Sequence, residues 1–388
     1  MMNERPSIGL YLHIPFCVSK CPYCDFYSLP RGANGWDDAL LDRYTDALCG
    51  TIACWAQRLE GRRADTLYFG GGTPSLLGGK RLARLIGAAD AEFHLFGGEH
   101  PPEITLEANP GDGLRETLCA FAAAGGNRVS LGMQSADDGE LRALGRRHAF
   151  EQTARAAADA RAAGVGSLSL DLMLATPGQT ADSLVASAAA AAELGVGHVS
   201  AYLLKIEEGT PYFDRRDTLD LPDEDEAAER YLIACASLEA FGYRQYEISN
   251  FARPGDESRH NLKYWQGDEY LGIGPAAHSF MGGRRFYYPR DLRAFLDGAG
   301  PAAEAEEGQD AALLENGESE YLMLRLRLTE GVTEAGFAAR FGHPLPQLWR
   351  ERAAKLPAEL IVSDGGGIRL TRSGFLLSNV LIGKVLGF

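Results

Sequence analysis

From the N-terminus to about residue 205, short apolar, β-rich runs alternate with longer Ala-, Leu- and Arg-rich stretches whose apolar positions recur at helical period. The runs are Ile8–Ile14, Thr66–Phe69, Glu103–Glu107, Arg128–Met133, Ser167–Met173 and His198–Leu204. Six strand–helix units in series predict a parallel α/β sheet wound with right-handed crossovers. A partial TIM-like (β/α)6 barrel follows, but a doubly wound sheet fits the same alternation, so the polar residues must decide. They fall at the carboxyl ends of the runs: Cys17 after the first, Gly70 to Pro74 after the second, Glu107 to Pro110, then Gln134-Ser135, then Asp171. In a parallel barrel those loops converge on one face, where ligands bind.

Beyond residue 205 the alternation stops. Leu221–Phe241 reads as one helix, opened by Pro222 and an acidic first turn and ended at Gly242. Gly298 to Gly308, rich in Ala, Glu and Gly, reads as a linker. After it, Ser319–Leu328, Glu334–Arg340, Leu345–Lys355 and Ser373–Val385 read as helices. Leu360–Val362 and Gly367–Leu370 read as strands around the hairpin turn Ser363 to Gly366. The expected organisation is a barrel core over 1–205, a barrel extension over 206–297, and a small, mostly helical C-terminal domain over 298–388.

Composition narrows the partners. A hydrophobic content of 45% in 388 residues can bury one large core and a smaller one. The formal charge of -15 argues against a nucleic acid held by phosphate contacts. The acidic runs Asp223 to Glu226 and Glu304 to Glu307 read as solvated segments. No apolar stretch approaches the ~20 residues needed to span a bilayer, which leaves peripheral membrane contact open.

Candidate chemistry begins with Cys17, Cys21 and Cys24, a C-x3-C-x2-C knot directly after the first strand. Three thiolates can hold three irons of a [4Fe-4S] cluster and leave the fourth open. Zinc would want a fourth ligand, and only His13 is near, on the wrong side of a strand. Zinc is therefore the weaker reading, and a disulfide framework is disfavoured because seven cysteines is an odd number and no secretory signal precedes them. A reducing, cytoplasmic setting follows. Cys49, Cys54, Cys119 and Cys235 fall in helical apolar contexts that suit small buried hydrophobes and are given no role.

This spacing resembles the radical S-adenosylmethionine (SAM) superfamily, in which SAM chelates the open iron. The glycines at 70–72 suit close approach and exposed N–H groups facing the methionine end of SAM. Glu107, Gln134 and Asp171 offer acceptors and a donor for an ammonium group and ribose hydroxyls. More closely, YLHIPFC, YFGGGTPSLL, LEANPG, SLGMQS, LGRRH and DLMLATPGQT resemble the oxygen-independent coproporphyrinogen dehydrogenase (HemN) group. Later blocks, from HVSAYLLKIEEGTP to LTRSGFLLSN, point to its branch of HemW heme chaperones. The resemblance implies that Cys17, Cys21 and Cys24 ligate the cluster. It also implies that Tyr11, Tyr23, Gly71, Gly72, Thr73, Glu107, Gln134, Arg146 and Asp171 contact SAM, and that the C-terminal domain is winged-helix-like. One departure is Ala175-Thr176-Pro177, where the group has Gly-Leu-Pro.

Three features separate chaperone from dehydrogenase. A further cysteine two positions after the third cluster cysteine is replaced here by Asp25-Phe26, and the segment ahead of Cys17 is short. The third is His260-Asn261-Leu262-Lys263-Tyr264-Trp265, which resembles the heme-binding HNxxYW signature. A neutral imidazole is a common axial ligand of heme iron, and Asn261, Tyr264 and Trp265 complete the motif, the two aromatics offering a flat wall to a porphyrin. His278 reads as a buried structural histidine. The expectation is a cytoplasmic chaperone that carries heme to acceptor proteins such as membrane respiratory enzymes and forms a reversible homodimer. Decarboxylation of coproporphyrinogen III is the alternative.

Overall fold

The computed structural model describes residues 7–31, 36–111, 113–303 and 317–388. The acidic run Glu304 to Glu307 and the second half of the Gly298–Gly308 linker lie outside them.

Six strands form the wall: β1 (Ile8–Ile14), β2 (Ala64–Gly71), β3 (Glu103–Ala108), β4 (Arg128–Gln134), β5 (Ser167–Leu174) and β6 (His198–Leu203). Each pairs with the next, all parallel. Between them run α1 (Asp38–Arg58), α2 (Gly79–Phe93), α3 (Leu114–Ala123), α4 (Asp138–Ala143), α5 (Phe150–Ala162) and α6 (Ala181–Glu193). A sheet laid down in strict chain order has no reversal point, which selects the barrel over the doubly wound alternative.

The strands obey the period of two. In β1, Ile8, Leu10, Leu12 and Ile14 are fully buried in the main core. Gly9, Tyr11 and His13 face the barrel interior, where Tyr11 stacks on Tyr68 and a Cβ on Gly9 would meet Thr66 and His260.

The segment beyond 205 extends the same sheet, a continuity its sequence pattern hides. After α7 (Glu224–Ala240), β7 (Asn250–Ala252) runs antiparallel to β6. Then α8 (Arg259–Gln266) is followed by β8 (Tyr270–Ile273), which pairs parallel with the free edge of β1. Among the described residues β7 and β8 do not pair with each other, so the wall is open on that side. α7 begins later than Pro222, because the Asp223 side chain accepts from the Glu226 N–H and Glu226 returns the bond in a capping box.

The C-terminal unit has α9 (Glu318–Arg325), α10 (Glu334–Phe341) and α11 (Gln347–Ala353). A three-stranded sheet of β9 (Val332–Thr333), β10 (Ile361–Asp364) and β11 (Gly367–Leu370) follows the pattern of a wing. The expected Ser373–Val385 helix is two, Arg372–Leu376 and Ser378–Leu386, broken at Leu377. No described helix is long and apolar enough to cross a membrane.

Candidate functional site

The carboxyl ends of the strands enclose a cavity of about 390 Å³ lined by Cys17, Cys21, Cys24, Tyr23, Gly71, Gly72, Thr73, Glu107, Gln134, Arg146 and Asp171. Every residue expected at the cluster and SAM site is gathered there except Tyr11. Tyr11 lies deeper, its hydroxyl 3.1 Å from His13 Nδ1, and lines a separate interior cavity of about 250 Å³.

The cysteine loop is tied to the barrel by its own polar contacts. Burial raises the Cys17 thiol above its ordinary pKa and pushes Cys24 up to about 11, so both favour the neutral thiol until a cation compensates the thiolate. Cys17 Sγ lies 3.5 Å from Thr73 Oγ1, and Arg146 Nη1 donates to Cys21 Sγ at 3.6 Å. Arg146 also donates through Nη2 to Asn109 and, at 2.9 Å, to the Gly132 carbonyl. This distinguishes the two arginines of LGRRH: Arg146 turns into the site, while Arg147 is exposed and lines a neighbouring cavity.

The glycine run works differently from the expectation of free N–H groups. The Gly71 N–H donates to Glu107 Oε2, Gly72 to the Ile14 carbonyl and Thr73 to the Phe16 carbonyl. All three donors are spent within the chain. Glycine is required here by packing: Gly71 sits at φ +113°, where a Cβ would come within 2.6 Å of the His13 ring, and one on Gly72 within 2.7 Å of the Phe16 carbonyl.

Glu107 accepts from Tyr68 Oη at 2.8 Å. Burial first, then the nearby Asp171, pushes its pKa up to about 7. Asp171 accepts from Ser130 Oγ at 3.1 Å, and burial raises its pKa despite that bond. Two desolvated carboxyls inside one barrel favour a cationic occupant. Gln134 takes φ +69° at the end of β4, and Ala175 takes φ +59° just past β5, so the glycine of the related motif is replaced where the backbone is left-handed.

The HNxxYW segment is α8, and it closes the opposite, amino-terminal end of the barrel. Glu103, at the start of β3, accepts from the backbone N–H groups of Arg259 and His260, both at 2.9 Å. His260 is 0% exposed. Its Nδ1 lies 2.7 Å from Thr66 Oγ1 and its Nε2 2.8 Å from Tyr264 Oη. Burial, then the charge of Lys263, lowers its pKa to about 3, so the ring is neutral. In this arrangement His260 is an internal hydrogen-bond partner on both nitrogens. Asn261, Tyr264 and Trp265 line the interior cavity, whose wall shares Glu107 and Tyr202 with the cysteine-lined one.

Other expectations change. His278 is exposed and stacked on Tyr287, because its strand, His278–Met281, pairs antiparallel with Arg284–Tyr287 at the edge of the sheet and turns it outward rather than into the core. Of the remaining cysteines only Cys235 is buried; Cys54 and Cys119 lie on outward helix faces. Sequence reasoning passed over Asn109, which clamps Arg146 and donates to Thr73 Oγ1 at 3.0 Å. Its signal was available two positions after Glu107. Glu247 had none: a lone acid in a polar stretch proves to be 1% exposed, with burial pushing its pKa up to about 7.

Residues 11–191 match the radical SAM superfamily and residues 319–377 the HemN C-terminal domain. The coproporphyrinogen III oxidase HemN of Escherichia coli, described as a radical SAM enzyme, superposes with a TM-score of 0.77 over 98% of this chain and 90% of that one, at 22% identity. Fold and matched domains therefore define a radical SAM protein of HemN-like architecture, a class that implies a [4Fe-4S] cluster and SAM. Within it, a Mycobacterium tuberculosis protein named heme chaperone HemW is 40% identical over 98% of this chain and 95% of its own length. The Escherichia coli protein of that name is 36% identical over 88% of each. The chain belongs to the HemW family.

Proposed function

We propose that this protein binds heme as cargo and passes it to heme-requiring acceptor proteins, with a SAM-ligated [4Fe-4S] cluster held at the carboxyl mouth of the barrel. Near-full-length identity with the two proteins named heme chaperone HemW carries the reading.

The donor set suits the cluster. Among the described residues no three His, Cys, Asp or Glu are close enough to hold a single metal ion. Three thiols spread around one cavity instead suit a multi-iron cluster, each taking one corner. When bound, the cluster would supply an open iron for SAM to chelate. The protein's own residues prepare that site. Arg146 places a fixed positive charge beside Cys21 Sγ, which offsets thiolate charge in a cavity that otherwise disfavours it. Glu107, whose pKa burial pushes up to about 7, would pair with an arriving ammonium at the part of the wall that Gly71 and Gly72 also line. Thr73 flanks the same end. Gln134 and Asp171 would offer hydrogen bonds to the ribose hydroxyls of SAM, and Tyr23 lines the same cavity.

The porphyrin lies against the cavity face of α8, on Asn261, Tyr264 and Trp265. Iron ligation by His260 requires Nε2 to exchange the Tyr264 hydroxyl for the metal, and α8 to lift from the barrel floor. Until then His260 anchors the helix. Acceptors of the respiratory-enzyme class and a reversible homodimer complete the reading.

The test is an anaerobic hemin titration of the cluster-reconstituted protein beside Trp265→Ala and His260→Ala, followed in the Soret band against a weak competing binder. Thermal melts of each variant separate loss of site from loss of fold. A saturable, near-stoichiometric complex weakened at least tenfold in Trp265→Ala supports the reading. Equal binding by Trp265→Ala removes the porphyrin from α8, and absence of saturable binding by the parent protein overturns the chaperone assignment.

A further inference from the structure

The proposed function leaves one buried polar atom at the cluster-side cavity without a task. Ser28 is 6% exposed and lines that cavity, and its hydroxyl has no hydrogen-bond partner at bonding geometry among the described residues. A buried hydroxyl of this kind is costly unless something fills the space before it. The Cys17 sulfur lies beside it.

The local fold holds it there. The cysteine loop closes on itself through a short parallel pairing in which Phe16 lies opposite Leu29 and Cys17 opposite Pro30. The Leu29 N–H donates to the Pro15 carbonyl at 2.6 Å, while the Arg31 N–H, at 2.9 Å, and Trp36 Nε1, at 3.2 Å, both donate to the Cys17 carbonyl. Backbone just beyond Ser28 is therefore fixed against the strand that carries Cys17, and the serine is held at the cavity wall.

A second hydroxyl meets the same sulfur, and its proton can be placed. Thr73 Oγ1 lies 3.5 Å from Cys17 Sγ. A guanidinium only donates, so Arg146 Nη2 fixes Asn109 Oδ1 as its acceptor and leaves Asn109 Nδ2 to donate to Thr73 Oγ1 at 3.0 Å. The threonine oxygen thus accepts from one side, and its own proton is free for Cys17. A thiolate only accepts. Cys17 therefore faces one hydroxyl already turned toward it by Asn109 and a second, on Ser28, that nothing else in the described chain engages.

We propose that Ser28 is a hydrogen-bond donor to the cluster sulfur at Cys17, joining Thr73 so that two hydroxyls serve one sulfur. Its role rests on the cluster proposed for this cavity. Reduction adds negative charge that the sulfurs share, so a donor there stabilises the reduced cluster more than the oxidised one and raises its potential. Packing alone would not do this. Ser28→Ala keeps the backbone pairing of Leu29 with Phe16 and removes only the hydroxyl.

A dithionite titration of the anaerobically reconstituted full chain, without SAM and followed by electron paramagnetic resonance, tests it, with iron and sulfide analysis of every sample. Parent, Ser28→Ala, Ser28→Thr and Ser19→Ala are compared; Ser19 is an exposed serine of the same loop that lines the same cavity. A second readout is the coupling of exchangeable protons to the reduced cluster, measured in light and heavy water. A midpoint potential more negative in Ser28→Ala than in the parent, with one exchangeable-proton coupling lost and Ser19→Ala unmoved, supports the proposal. If Ser28→Ala fails to hold its cluster, Ser28→Thr decides: a cluster at the parent's potential supports the hydroxyl donor, and loss from both variants overturns it. An unchanged potential in Ser28→Ala, a shift with every proton coupling retained, or an equal shift in Ser19→Ala overturns the proposal and leaves the cluster reading intact. A parent that takes up no [4Fe-4S] cluster overturns both.

Discussion

Glu247 is a buried carboxyl that accepts from the Ser249 N–H, 3.1 Å from Oε2, and burial pushes its pKa up to about 7. The native state therefore binds its proton more tightly than the unfolded chain does. Stability from this group is complete below the ordinary carboxyl range and is lost as pH rises toward 7. Glu107 has the same sign, so the two act together over that interval. In the ligand-free protein the melting temperature should fall between about pH 5 and 8. Glu247→Gln, which keeps the acceptor and removes the charge, should show a shallower decline, worth on the order of 1 kcal/mol or more at pH 8. Identical slopes in parent and variant would show that water reaches the carboxylate. Ala175 offers a second residue-scale test. A left-handed alanine costs about 1–2 kcal/mol, partly offset by its stiffer unfolded chain, so Ala175→Gly should stabilise by about 0.5–1 kcal/mol in a denaturant titration. That strain was legible in advance, because the sequence departs from Gly-Leu-Pro there.

At the scale of elements, α8 is held by its first turn. Glu103 accepts two of its N-terminal N–H groups, and Ser258 caps a third through Asn261. Replacing Glu103 by Ala leaves both donors without their acceptor at a cost of about 2–3 kcal/mol. Amide exchange over 259–266 should quicken while the cluster absorbance of reconstituted protein stays unchanged, since the cysteines sit at the other mouth. Cluster loss in parallel would show that the two ends fold as one. This placement was not readable from the motif. HNxxYW gives residue types, but whether a helix presents or buries its histidine depends on Thr66 and Glu103, distant in sequence and brought near only by strand register. The six wall strands were readable, because each is a short apolar, β-rich run, buried on both faces, set between stretches of helical period. Their order was not, since the same alternation serves barrel and doubly wound sheet. The role of Gly71 was half readable: glycine was expected, but the His13 ring that demands it comes from the neighbouring strand.

Over the whole molecule, the C-terminal unit reaches the interior cavity through backbone pairing. Ile248 donates to the Arg327 carbonyl at 2.9 Å and Thr329 to the Tyr246 carbonyl at 3.1 Å, so the loop carrying Glu247 is clamped between barrel and C-terminal unit. Arg372 adds an ion pair to Glu239 on α7. A domain boundary drawn by composition alone separates these partners, whereas the bonds make the loop a shared element. Leu326, fully buried at the end of α9, supports this clamp. Leu326→Ala should cost about 2–5 kcal/mol through the cavity it leaves. If the barrel is a separate cooperative unit, hydrogen exchange should rise over 244–252 and 317–388 while Ile8–Ile14 and Ala64–Gly71 stay protected. Hemin affinity should then drop with the loop while SAM affinity holds, because only the interior cavity is built on residues 247–250. Equal loss of protection in β1 and β2 would instead make the C-terminal unit part of the barrel's own folding.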